Sequence, residues 1–367
     1  MKGLKMKRMV GLALMIAFMM TVTACSGNAE EEQSGTGLIV VEEDTTEGGS
    51  IDVETDGNAD VEADDLNVAE EESEASAGDV TVIYTGESFS KSAFAAGGTV
   101  LYLCGMRDGE YFFGCMEQEG DTFEEFSLDV GEGMRVNSMY VDEENRCHML
   151  WFDTETVTVN GQEFASVSFE KSCITVIDSS GTLLEQIDTT DFFRSEQTIP
   201  YSFAVDHKGN YWFEEGTYLV SLSPDGTLNQ KIECPGTVET VGIGASGMVY
   251  AVYQAEGSRY LGCILNDGDF AFECSLSATG SAFSQIAPGA DGVDVLLYHL
   301  SEGVYGYDRN TMKHLISADE LPVTGEDVNG YGILADGRLC LMGAEEDGVR
   351  TFYYLKTHCA DFVTFMR

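Results

Sequence analysis

Histidines 148, 207, 299, 314 and 358, ten cysteines and several runs of neighbouring acids are the groups in this sequence able to do chemistry. Histidines are the usual general bases and zinc ligands, yet no H-E-x-x-H or H-x-H spacing joins these five. Neither a G-x-S-x-G nucleophile turn nor a P-loop occurs. Asp142-Glu143-Glu144 offers the oxygen ligands that Ca²⁺ takes, but in no EF-hand order, and solvated turn acids account for it. Carboxylates drawn from separate strands can cleave a glycoside, though nothing in the spacing points there. Gly242-Ile243-Gly244-Ala245-Ser246-Gly247 matches G-x-G-x-x-G, which binds a dinucleotide only where it follows a strand and opens a helix. Met248–Val252 behind it reads as strand. The reading carries no cofactor and no metal, and no catalysis.

Cys25 stands apart from the other cysteines. Lys2, Lys5, Lys7 and Arg8 precede an apolar run, Met9 to Met20, too short for a confident membrane span, and Val22-Thr23-Ala24-Cys25 closes it. This junction resembles the lipobox of bacterial lipoproteins. The resemblance implies that residues 1–24 are a signal peptide and that Cys25 is lipidated as the first residue of the mature chain. The body is then anchored to the cell membrane through its lipid, on the extracytoplasmic face. A plain secretory signal or an uncleaved anchor helix are the alternatives.

Charge narrows the partners. The formal net charge of the 367 residues is −45, and from residue 80 onward 45 acids face 15 bases. Nucleic acid is excluded by sign, and anionic headgroups would be repelled, so membrane contact depends on the lipid. Neutral sugars, peptides, cations or a basic protein remain. With Cys25 assigned to lipid, cysteines 104, 115, 147, 173, 234, 263, 274, 340 and 359 are left, an odd number without a C-x-x-C. Most lie in apolar runs, as buried free thiols do. Cys104 with Cys115, and Cys263 with Cys274, each flank a hairpin turn and are the pairs placed to face one another.

The positioning elements follow from a change of character at Val80. Residues 27–79 hold 19 acids, no base and no aromatic residue, so 25–79 reads as the lipidated cysteine followed by a disordered acidic linker. From Val80 come runs of about five residues rich in Val, Tyr, Phe, Leu and Cys, divided by Gly, Asp, Asn and Ser, without helical periodicity. The chain is all-β. A strand, a small or acidic turn and a second strand recur six times, the turns closing at Gly98, Asn145, Gly209, Gly247, Gly292 and Gly337. Spacings near 45 residues are those of four-stranded propeller blades. The last unit has three strands, ending in Thr351–Leu355, while Val80–Tyr84 is one strand in excess. The expected architecture is a six-bladed β-propeller over residues 80–356, closed by its N-terminal strand, with 357–367 as a tail.

Loop length then points to a binding face. Asp153–Lys171, containing an Asn160-Gly161 hairpin signal, and Thr189–Ile199 are long connections that both leave blade two on one face. The second carries Phe192, Phe193 and Arg194 in a segment expected to be exposed. Trp151, Phe192, Phe193, Arg194 and Tyr201 are the candidate ligand-binding residues. Packing of these aromatics against the extra arm is the competing explanation.

Asp206-His207-Lys208-Gly209-Asn210-Tyr211-Trp212-Phe213 resembles the repeat of streptogramin lyases and sensor-kinase propellers, once only. The order of lipobox, acidic linker and β-repeat resembles the N-terminal half of extracellular solute-binding lipoproteins of the ABC-transporter type, whose binding lobes have no counterpart after Leu355. These features together lead to a surface-anchored propeller that binds an extracellular ligand or a cell-surface protein without catalysis, accessory to solute uptake. A propeller lyase or glycoside-active enzyme, and a truncated solute-binding lipoprotein, are the alternatives.

Overall fold

The computed structural model describes residues 79–357 except 85–89, 108–109, 119, 121, 130, 132, 160–161, 266–267, 277–282, 324–326 and 347–348. The signal peptide, Cys25, the acidic linker of 27–78, His358 and Cys359 lie outside the described residues.

The chain forms six four-stranded antiparallel sheets. Blade one contains β2 (Ser90–Gly97), β3 (Val100–Arg107), β4 (Glu110–Glu117) and β5 (Glu124–Phe126). Blade two contains β6 (Met134–Val141), β7 (Cys147–Val159), β8 (Gln162–Ile177) and β9 (Leu183–Asp188), and is followed by a short helix, α1 (Thr190–Glu196). Blade three has β10 (Phe203–Val205), β11 (Tyr211–Glu215), β12 (Tyr218–Leu222) and β13 (Leu228–Glu233). Blade four has β14 (Thr237–Ile243), β15 (Val249–Ala255), β16 (Ser258–Ile264) and β17 (Phe270–Leu276). Blade five has β18 (Phe283–Pro288), β19 (Val295–His299), β20 (Gly303–Tyr307) and β21 (Met312–Ser317). Blade six takes β22 (Gly330–Ile333), β23 (Leu339–Glu346) and β24 (Val349–Leu355) from the end of the chain and β1 (Asp79–Tyr84) from its beginning.

The excess strand and the missing strand are therefore the same strand. β1 pairs antiparallel with β24, from Asp79 opposite Tyr354 to Tyr84 opposite Val349, and blade six gains the outer partner that every other blade takes from contiguous sequence. The first strand of each blade touches the first strand of the next, β2 to β6 and onward through β22, which returns to β2. The fold is a six-bladed β-propeller.

Burial follows position within a blade. The middle strands β11 and β12 are almost wholly buried, whereas the outer strand β13 is mostly exposed. Crowding around the axis explains two glycines. A β-carbon at Gly242 would lie 2.4 Å from the carbonyl oxygen of Ile286 in the next blade, and one at Gly332 would lie 2.5 Å from the Ala96 side chain. Gly242 opens the G-x-G-x-x-G match, so its first glycine is required by blade packing; a strand, not a helix, follows the phrase.

The eight described cysteines are free, and seven are buried. Pairing across the hairpins is not made, for a reason of register. Cys104 stands opposite Phe113 while Cys115 stands opposite Tyr102, and Cys263 stands opposite Ala271 while Cys274 stands opposite Leu261. Diagonal neighbours on adjacent strands are too far apart for a disulfide.

Candidate functional site

The inner strands of all six blades enclose a central channel of about 830 Å³. Its wall includes Phe94, Ser138, Ser202, Thr240, Ser284 and Tyr331, one residue from each blade, so four consecutive blades present hydroxyls and the adjoining blades six and one present aromatic rings. The lining extends from Tyr201 and Ser202, just before β10, to Asp206 and His207, just after it.

At the second end the turns joining first and second strands form a charged rim of Asp142, Glu143, Glu144, Arg146, Asp206, His207 and Lys208. Asp142 orders its own turn: Oδ1 accepts from the backbone N–H groups of Glu144 and Arg146, both at 2.9 Å. Its Oδ2 accepts from Arg146 Nε at 2.7 Å and lies 3.0 Å from Nε2 of buried His148, whose Nδ1 is 3.3 Å from the Tyr211 hydroxyl. Burial lifts the Asp142 carboxyl, but hydrogen bonds from His148 and Arg146 outweigh it and hold the group at about 2. The next blade repeats the turn. Asp206 Oδ1 accepts from the N–H groups of Lys208 and Asn210, and Oδ2 from the Asn210 amide and the Trp212 indole at 3.0 Å.

At the first end a carboxylate lies beneath the wall. Glu214, on β11, is buried, and its Oε1 accepts the N–H of Tyr201 and, at 2.8 Å, that of Ser202. Oε2 accepts the Ser202 hydroxyl at 3.1 Å. Burial dominates here and pushes the carboxyl up to about 7 against those hydrogen bonds.

The residues singled out from sequence do not form one surface. Trp151 is 0% exposed, its indole donating to Thr175 Oγ1 at 2.8 Å and its ring set edge-on to Tyr111 and Phe113 between blades one and two. Phe192 and Phe193 are on α1 rather than in a loop, and both are buried in the core between blades two and three. The expected exposure of Phe192 and Phe193 is corrected: two turns of helix aim the adjacent phenylalanines inward, and Phe193 meets Phe152 at 4.9 Å and Phe213 at 5.6 Å. Arg194 is half-exposed and binds the Glu170 carbonyl. Tyr201, 60% exposed, is the one candidate that lines the channel. β7 and β8 extend beyond the blade after an irregularity between Phe152 and Thr154, and pair from Thr154 with Val167 as far as Val159 with Gln162.

Ser202, Glu214, Thr240 and the Asp142–His148 pair were not singled out as a site from sequence. The Asp-x-x-Gly-Asn-x-Trp phrase of blade three and Asp-x-x-Asn-Arg-x-His of blade two were the available signal, readable once the two turns are aligned. Among the described residues, no group of three or more His, Cys, Asp or Glu side chains is placed to hold a metal ion.

No protein-family model matches the chain, and no curated protein matches it. Solved structures do. Virginiamycin B lyase from Staphylococcus aureus is similar over 76% of this chain and 99% of its own, at 10% identity and a TM-score of 0.45. YCF48 from Cyanidioschyzon merolae is similar over 75% of this chain and 98% of its own, at 13% identity and a TM-score of 0.42. A chain of the mitotic checkpoint complex is similar over 84% of this chain and 99% of its own, at 9% identity and a TM-score of 0.46. These likenesses are of fold. One expectation is withdrawn: a lyase is among the structures of similar fold, and a propeller fold gives no ground for excluding an enzyme.

Proposed function

We propose that this protein is a lipid-anchored extracytoplasmic lipoprotein whose propeller takes an extracellular ligand or a protein partner at its central channel, accessory to solute uptake. The channel is the observation that carries the reading. Its volume is in the range of small-molecule and peptide sites, and it is walled by a rigid ring that all six blades contribute to. Net charge favours a neutral or cationic ligand over an anion. The anchor rests on the Val22-Thr23-Ala24-Cys25 junction, and the accessory role on the order of lipobox, acidic linker and propeller.

The test is capture of cell-surface proteins and of arrayed glycans and peptides by the purified chain, with Ser138→Trp as the comparison. Ser138 lines the channel, and an indole there would narrow the lumen. Capture reduced tenfold or more, with unchanged unfolding, is the expected outcome; capture unaffected by the substitution would remove the channel from the function. Mass spectrometry of the mature N-terminus tests the anchor separately: an acylated Cys25 is expected, and an unmodified terminus at another residue overturns it.

A further inference from the structure

Glu214 is a carboxyl buried behind the channel wall, without a counter-ion, and connected to the lumen by hydroxyls. The hydrogen bonds run in one sense. Thr240 Oγ1 donates to Ser202 Oγ at 3.3 Å, and Ser202 donates in turn to Glu214 Oε2. Val241 N–H also donates to Ser202 Oγ at 3.3 Å. A serine hydroxyl has one proton and two lone pairs, so Ser202 is saturated: Thr240 and Val241 take the lone pairs, and the carboxylate takes the proton. Ser202 and Thr240 both line the channel, and they belong to adjacent blades.

A proton on Glu214 cannot be added to this arrangement without reversing it. Oε2 becomes a donor and needs a lone pair on Ser202, which Thr240 must give up. Two hydroxyl protons are released. One bridges Ser202 to Thr240, and the other, on Thr240, is free to turn toward the lumen. Oε1 keeps the Tyr201 and Ser202 N–H groups in both states, so the strand stays in place while the polarity of the wall changes.

We propose that Glu214 is a proton-linked positioning residue of the channel, whose protonation turns a hydroxyl donor of the Ser202–Thr240 pair into the lumen to bind a neutral acceptor, a peptide carbonyl. The proton comes from solvent, and no covalent bond changes. This deepens the channel reading and rests on it for its ligand. The groups facing Glu214 carry no charge: they are Tyr201 and Ser202 before β10, its own backbone on β11, and, through Ser202, Thr240 and Val241 on β14. The charged residues flanking these are held elsewhere, Glu215 by Lys231 at 2.8 Å and Glu239 by Arg259 at 2.8 Å. The raised carboxyl, at about 7, places the change within the physiological range.

The experiment follows the amide resonances of Ser202 and Val241 between pH 5.5 and 8.5 in the full chain, labelled at serine and valine. Both are expected to move with one midpoint near 7, and to stop moving in Glu214→Gln. In Ser202→Ala, which keeps the carboxyl and cuts the connection, Val241 should stop moving. N-acetyl-trialanine methylamide, a neutral carbonyl-bearing probe, should raise the midpoint by about one unit if it prefers the protonated wall tenfold. Resonances that move apart, movement that survives Glu214→Gln, or a midpoint unmoved by the bound probe would overturn the proposal. Failure of the probe to bind at any pH, with the titration intact, counts against the channel as a peptide site and not against the coupling.

Discussion

His148 in blade two occupies the place of Trp212 in blade three: each lies six residues after a turn aspartate, and each ring nitrogen lies 3.0 Å from that aspartate's Oδ2. An indole can only donate a hydrogen bond, so the position asks for a donor that clamps the turn. His148 supplies that donor. The Asp142–His148 pair, which in isolation resembles half of a catalytic triad, has a sister that cannot exchange a proton.

His148→Ala should therefore cost roughly 1–3 kcal/mol of stability in urea unfolding, because it removes a donor from a buried carboxylate. The pH dependence has a definite sign. Asp142 titrates lower in the fold than when unfolded, so its contribution, on the order of 2 kcal/mol, is present above the ordinary aspartate value and is lost as pH falls toward 2. Loss of a ligand-directed activity in His148→Ala with stability unchanged would assign the histidine a chemical role instead.

Phe193→Ala should destabilise the domain by about 3–5 kcal/mol, the cost of emptying a core aromatic site. Arg194→Ala, one residue on, should change unfolding by less than about 1 kcal/mol, since its ion pairs are exposed. Equal effects of the two substitutions in thermal melts would contradict the packing of α1.

Removing residues 79–84 should lower the melting temperature and promote aggregation, because β24 loses its outer partner from Val349 to Tyr354 and becomes an exposed edge. Deletion of 27–76, outside the described residues, should leave the melting temperature nearly unchanged. A closed ring predicts this difference, and two equal melting temperatures would refute it.

The eight described thiols should be slow to alkylate in the native chain at pH 8 and fast in urea. Burial pushes Cys115 up to about 11, with Tyr102 opposing and acids adding, and Cys234 up to about 12. Cys274, less buried than the others and lifted to about 11 by burial and Glu273, should react first. Rapid modification of several thiols without denaturant would show that the blades open more readily than their packing implies.

The repeat was legible because each blade restates one local rule, a turn between strands, at near-constant spacing. Even the aberrant interval before Gly209 has a local cause, in the lengthened β7 and β8 and the inserted α1. The site was not legible for the opposite reason. α1 is two turns long, too short for a helical period to emerge, so Phe192 and Phe193 read as exposed loop residues. Glu214 and Glu215 are adjacent acids in sequence; the fold buries one behind Ser202 and leaves the other to Lys231. Burial of that kind is decided by segments from another blade, which no window along the chain contains.

The ladder between β1 and β24 also fixes an order of events during synthesis. Five sheets can form as their own segments emerge, whereas β1 is the first strand of the propeller to be made and its partner the last, so the sixth waits for the other strands of the ring. Until then β1 is held only by what it can find. Two chains that meet before either is finished can each accept the other's closing strand, and the same ladder that completes one ring becomes the route by which a pair would exchange ends.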